Sequence, residues 1–171
     1  REELLKGVEG RDGLLCLLTD RVDKEVMEAG RNLRVISNYA VGYDNIDIEE
    51  ATKRGIIVTN TPGVLTEATA EMAWALLFSV SRRIVEGDRL VRSGGFKGWA
   101  PILLLGSGVS GKTLGSVGAG RIGQAMALKS RGFGMKVLYL ARSRKETLER
   151  ELGAEKVDLH NLLRQSDFVS L

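Results

Sequence analysis

The chain has 171 residues, 43% of them hydrophobic, with 25 Lys and Arg against 22 Asp and Glu for a net charge of +3. That is ordinary globular composition, enough for one or two modest cores, and the interspersed charges exclude a nucleic-acid-binding stripe. A single Cys excludes an internal disulfide and a Cys-rich zinc site, no apolar run approaches the ~18 residues of a membrane span, and no signal-peptide pattern is present. The start at Arg1 without Met and the apolar end SDFVSL lead us to expect a piece of a longer protein.

In chain order, GLLCLL (13–18) reads as a strand, with Cys16 a buried member of it rather than a nucleophile. Asp20 is expected to cap a short helix over about 21–29 that ends at Gly30. LRVIS (33–37) is a second strand, Asp47 opens a helix closed by Gly55, and IIVT (56–59) is a third strand. Strands alternating with helices imply parallel pairing in an α/β layer. Ligands of such sheets sit beyond the carboxyl ends of the strands, where the turns TD, NYAVGYDN and TNTPG fall. In the middle turn, Gly42 either lets an anion reach successive backbone N–H groups or serves a turn that needs its φ angle.

One long helix is expected over about 67–92, with Thr66 as N-cap and Gly94-Gly95 at its end. Ala70, Ala73, Trp74, Leu77, Ser81 and Ile84 form one face at helical spacing, and Trp74 reads as packing. Residues 96–113 form an irregular arm with two aromatics, Phe96 and Trp99, which either packs locally or reaches a partner subunit. From Lys112 the pattern is βαβαβ, one mononucleotide-binding half of a Rossmann sheet: TLGSVG, RIGQAMALKSR, KVLYL, KETLERELG, a short KV segment, LHNLLRQS and DFVSL.

Two phosphate motifs compete. GSGVSGKT (106–113) satisfies the P-loop pattern, but the three glycines of the following LGSVGAG cannot form the first turns of a helix, so the required context fails. Gly118-Ala119-Gly120-Arg121-Ile122-Gly123 follows a strand, opens an amphipathic helix and leads to a second strand, which is the context a dinucleotide turn requires. Gly118 suits the tight turn, Gly120 the approach of the pyrophosphate, and Gly123 the packing of helix on strand. The acid that usually follows about 20 residues later to hold the ribose of NAD is missing. Ala141, Arg142, Ser143 and Arg144 stand there instead, giving donors and positive charge for a 2′-phosphate, or else solvated surface arginines. The first reading predicts NADP(H) as the preferred cofactor with NAD(H) possible.

The segments ISNYAVGYDNIDIEEATKRGIIVTNTPGVLTEATAE, GKTLGSVGAGRIGQA and GFGMKVLY resemble the D-isomer-specific 2-hydroxyacid dehydrogenases, the glyoxylate/hydroxypyruvate reductases in particular, and the likeness runs from about Gly13 to Leu171. The resemblance implies an α/β fold of two Rossmann-like or flavodoxin-like parallel-sheet domains, both incomplete in this chain. Residues 1–65 would be part of the substrate domain and 66–171 the first half of the coenzyme domain. It also implies that Val41 and Gly42 N–H groups hold the substrate carboxylate, that Ala119, Gly120, Arg121 and Ile122 meet the pyrophosphate, and that Ala141, Arg142 and Ser143 meet the adenosine ribose or its phosphate. Thr69 would lie near the nicotinamide, and the GGFKGWAP arm would help a homodimer form through the coenzyme domain.

The family's Arg, Glu and His are expected beyond Leu171, so no catalytic residue and no metal ligand is assigned within the chain. His160, the only histidine, is not the acid. Ser116 departs from the family's branched apolar residue, which predicts a weaker strand. The whole reading is a cytoplasmic NADPH-preferring reductase of a small 2-oxo acid, with no nucleic-acid or membrane partner. The alternative is a noncatalytic NAD(P)-binding or dimerisation module.

Overall fold

Strands alternate with helices in both of the units, Arg1–Leu65 and Thr66–Leu171, into which the computed structural model divides; it describes residues 1–171. The first unit runs α1 (Glu2–Val8), β1 (Gly13–Cys16), α2 (Lys24–Ala29), β2 (Val35–Asn38), α3 (Ile48–Lys53) and β3 (Ile57–Thr59). Its three strands pair in parallel in the order β1-β2-β3. Val8, Cys16, Val26, Met27, Ile36 and Ile46 are buried together beneath the helices. Asp47 caps α3 by accepting the Glu50 N–H at 2.9 Å.

Two expectations are corrected here. The first strand stops at Cys16, because Leu17 and Leu18 leave the sheet and are exposed. Asp20 therefore serves that turn, accepting the Leu17 N–H at 2.8 Å, and Asp23 caps the shorter α2 through the Val26 N–H. Helix α1, absent from the sequence reading, is held by Val8, with Leu4 and Leu5 packed on the same core.

The second unit runs α4 (Thr66–Ser81), α5 (Ile84–Arg92), β4 (Thr113–Val117), α6 (Arg121–Lys129), β5 (Lys136–Leu140), α7 (Glu146–Leu152), β6 (Glu155–Lys156), α8 (Leu159–Gln165) and β7 (Phe168–Ser170). All pairs are parallel, in the order β6-β5-β4-β7. The chain thus builds outward from β4 on one side and then returns to its other side. That reversal creates a crevice at the carboxyl end of β4.

The single helix expected over 67–92 is two helices. Arg83 adopts a left-handed conformation, φ 54°, between α4 and α5. The break is closed by tertiary contacts: Ser107 N–H bonds the Ser81 carbonyl at 2.8 Å, and Gly106 lies so close to that oxygen that a Cβ there would sit 2.2 Å from it. Ile84 consequently leaves the packed face and is exposed, whereas Ala70, Trp74 and Ser81 are buried. Trp74 stacks with Phe78 and Phe133 and donates its indole N–H to the Met126 carbonyl at 3.0 Å, joining α4 to α6. Ser116 does not leave an orphaned hydroxyl in β4, since Oγ donates to the Gly118 carbonyl at 3.0 Å. The arm between α5 and β4 has no helix or strand, and Trp99 on it is 84% exposed.

Candidate functional site

The glycine turn joins β4 to α6, and its three glycines stand in three different surroundings. Gly118 has φ 104°, a conformation that side chains rarely adopt. At Gly123 a Cβ would lie 2.2 Å from the Gly118 carbonyl oxygen and 3.1 Å from Ser116 Oγ, so only glycine lets α6 pack on the strand end. Gly120, the N-cap of α6, has ordinary φ −74° and open space where a Cβ would be. Neither geometry nor packing requires a glycine there, and what its absence of side chain leaves is room against the helix N-terminus. No side chain caps α6 and no acidic residue occupies its first turn. Gln124 donates to the Ala119 and Gly120 carbonyls at 3.2 and 3.3 Å. The carbonyls are turned to the protein while the first-turn N–H groups, with the positive helix end, stay open to an anion. Ile122 is 41% exposed beside them, and Arg121 is exposed. The turn has the room and the open donors that a pyrophosphate would need.

An open cleft of about 730 Å³ runs from Gly118, Ala119 and Gly120 to Ala141, Arg142, Ser143 and Lys145. The basic residues after β5 are not equivalent within it. Arg144 does not line the cleft; it is turned onto Glu149, with Nη2–Oε2 at 2.7 Å and Nε at 3.2 Å from both oxygens. Glu149 also accepts a 2.7 Å bond from the buried Tyr139 hydroxyl, whose oxygen accepts the Lys145 N–H at 2.9 Å. Arg144 and then Tyr139 hold the Glu149 carboxyl below its ordinary range, and burial pushes the Tyr139 hydroxyl up. This network fixes the course of residues 141–145. The Arg142 guanidinium has no intramolecular partner, and Lys145 Nζ donates to Ser143 Oγ at 3.2 Å. The sequence assigns Arg144 to the site; in this structure Arg144 pairs with Glu149, one turn into α7, and Lys145 lines the cleft. Spacing gives no signal for that pairing.

In the first unit, the turn after β2 exposes Val41 and Gly42. The carbonyls there are taken by the protein: Ala40 by Thr61 N–H, Val41 by Asn60 Nδ2 and Gly42 by Asn38 Nδ2, each at 2.8 Å. The N–H groups of Val41 and Gly42 have no intramolecular acceptor. Gly42 is not in a positive-φ conformation, and a Cβ there would make only an ordinary contact with Leu18 at 3.8 Å. The turn therefore does not need glycine for its φ angle, and of the two readings of Gly42 the open approach to the backbone remains.

Thr69 lies exposed in the first turn of α4, and His160 lies exposed on α8. Cys16 is buried, donates toward Asn38 Oδ1 at 3.3 Å, and its thiol is pushed up by burial. No three His, Cys, Asp or Glu side chains are grouped to hold a metal ion, and no helix is long and apolar enough to cross a membrane.

A parallel α/β chain with a glycine turn at the switch point of its second sheet defines the class of dinucleotide-binding proteins. The family model described as D-isomer specific 2-hydroxyacid dehydrogenase, catalytic domain, matches residues 1–162, and the chain belongs to that family. It is 60% identical to a glyoxylate reductase of Thermococcus litoralis over all of this chain and 53% of that protein. A solved structure of a Thermus thermophilus protein is similar with TM-score 0.93 and 51% identity, over 99% of this chain and 53% of that one. D-lactate dehydrogenase from Aquifex aeolicus, solved with NAD and lactic acid, is similar with TM-score 0.86 and 29% identity, over 98% and 49%. The chain spans about half the length of the curated relatives it matches.

Proposed function

We propose that the complete protein is a cytoplasmic, homodimeric oxidoreductase that reduces a small 2-oxo acid, glyoxylate or hydroxypyruvate, to the D-2-hydroxy acid, with NADPH preferred. Residues 1–65 contribute to the substrate domain and 66–171 to the coenzyme domain. Bound NADPH supplies the hydride. The open N–H groups of Val41 and Gly42 hold the acid's carboxylate. Gly118, Ala119, Gly120, Arg121, Ile122 and Gly123 form the pyrophosphate turn, with Thr69 toward the nicotinamide. The group that gives a proton to the carbonyl oxygen lies in the half of the protein outside residues 1–171, since His160 stands on an exposed helix of the coenzyme unit. These residues by themselves carry out no turnover.

The observation that carries the cofactor preference is the end of β5. Ala141 presents no carboxylate to a ribose 2′-hydroxyl, while Arg142, Ser143 and Lys145 line the cleft with donors and positive charge. An Arg with no intramolecular partner is suited to bidentate phosphate contact. The exposed Phe96 and Trp99 on the arm support association of two copies.

The test is turnover by the full-length protein with glyoxylate and hydroxypyruvate, following loss of NADPH and then NADH absorbance. Faster turnover with NADPH is expected. NADH preference would refute the phosphate assignment and keep the reductase. Binding of NADPH without turnover of either acid would point to a noncatalytic module.

A further inference from the structure

We infer that Asn60 is a positioning residue that locks the Val41–Gly42 peptide with its N–H facing the substrate carboxylate; this rests on the anion-holding role proposed for Val41 and Gly42. A trans peptide holds its C=O and N–H on opposite edges of one plane, and no peptide of the chain is cis. The Val41 carbonyl and the Gly42 N–H share such a plane. By drawing the carbonyl in at 2.8 Å, Asn60 Nδ2 turns the Gly42 N–H the other way. One plane earlier, the Thr61 main chain does the same for Val41 N–H by holding the Ala40 carbonyl.

Glycine at 42 creates the need for this lock. It gives an anion room at the backbone, but it also tolerates the positive φ that a flip of the preceding peptide produces. Flipped, the plane would present the Val41 carbonyl oxygen to the carboxylate and repel it. The plane after Gly42 is fixed separately, by buried Asn38 tied to Asn45, which in turn holds the Leu17 and Asp20 carbonyls. Asn60, half-buried, is the side chain whose loss frees one plane and leaves that network intact.

The experiment uses the full-length protein with Asn60→Ala, and Asn60→Leu as a second variant of similar size without the donor. Losing one orienting hydrogen bond should raise KM for glyoxylate about tenfold, and weaken oxalate binding in the presence of NADPH by the same factor. The kcat at saturation, KM for NADPH and Tm should stay near wild type, as for an interaction equal in ground and transition states. In parallel, the ¹⁵N amide resonances of Val41 and Gly42 in the wild type should shift on oxalate addition. If those amides shift while both variants keep wild-type KM and oxalate affinity, the lock is overturned and the anion site stands. If the amides stay still while oxalate binds, the anion site falls and the lock with it. A fall in Tm with kcat and both KM values changing together would show general structural damage and also overturn the positioning role.

Discussion

Two glycines three residues apart should respond to the same substitution in opposite ways. At Gly123 an alanine Cβ would lie 2.2 Å from the Gly118 carbonyl oxygen and 3.1 Å from Ser116 Oγ. The first atom is main chain, pinned because the Gly118 N–H bonds the Leu140 carbonyl at 3.0 Å, so β4 and α6 must separate by about 1 Å to reach ordinary contact. Overpacking of this kind costs about 1–3 kcal/mol, and the site moves with the helix. Gly120→Ala meets no atom of the chain at a φ that alanine accepts. Its stability should change by no more than about 1 kcal/mol, the cost of alanine at an N-cap. The new methyl, however, occupies the space beside the open N–H groups. Losing one charge-assisted hydrogen bond of about 1.5–3 kcal/mol should weaken NADPH by roughly ten- to a hundredfold. Thermal unfolding of the full-length variants without ligand, with NADPH affinity from nucleotide fluorescence, separates the two effects. A destabilised Gly120→Ala, or a Gly123→Ala with wild-type stability and affinity, would refute the division of labour.

Ala141→Asp should swing kcat/KM from NADPH toward NADH, and Arg142→Ala should raise KM for NADPH well beyond the effect of Arg144→Ala, because Arg144 is held by Glu149 outside the cleft; steady-state kinetics with both nucleotides measures each. Trp74→Phe keeps an aromatic ring among Phe78 and Phe133 but strands the Met126 carbonyl, and should cost about 1 kcal/mol in denaturant unfolding. Trp74→Ala removes the ring too and should cost about 3–5 kcal/mol. The Glu149 carboxyl is held below its ordinary range, so its stabilising bonds are complete above the unfolded value of about 4.3 and fade as pH falls through the lower folded value. The stability difference between wild type and Glu149→Gln should therefore close in that acidic window and stay flat above it.

The alternation of strands and helices was legible because each element's apolar period and its turn residues agreed, as at Asp47 and Gly55 around α3. The glycine turn was legible because strand, turn and helix stood in one order; in the structure Gly118 has a positive φ and Gly123 a close approach of helix to strand. What escaped depends on partners distant in sequence. Nothing between Thr66 and Arg92 marks the break at Arg83, which Gly106 and Ser107 close from far along the chain. Helix α1 is seven residues long, too short for its period to stand out, and exists because α2 offers it a core. In the site, the pattern found the basic cluster but could not tell that Glu149 takes one arginine away from it. It likewise marked Gly42 but gave no sign of Asn60, whose Nδ2 takes the Val41 carbonyl.

The strand order of the second unit carries a consequence for synthesis. In the first unit each strand pairs with the next one in the chain, so its sheet grows as residues emerge from the ribosome. In the second, β4 lies between β5 and β7, and the contacts at its start reach across 54 residues, from Thr113 to Asp167. Until Phe168–Ser170 has been made, one edge of β4 stands unpaired and the core around Leu114 and Trp74 lacks Phe168. The segment that ends in the glycine turn therefore waits, with one edge open, for a strand made 54 residues later, and the nascent chain is open to misassociation in that interval.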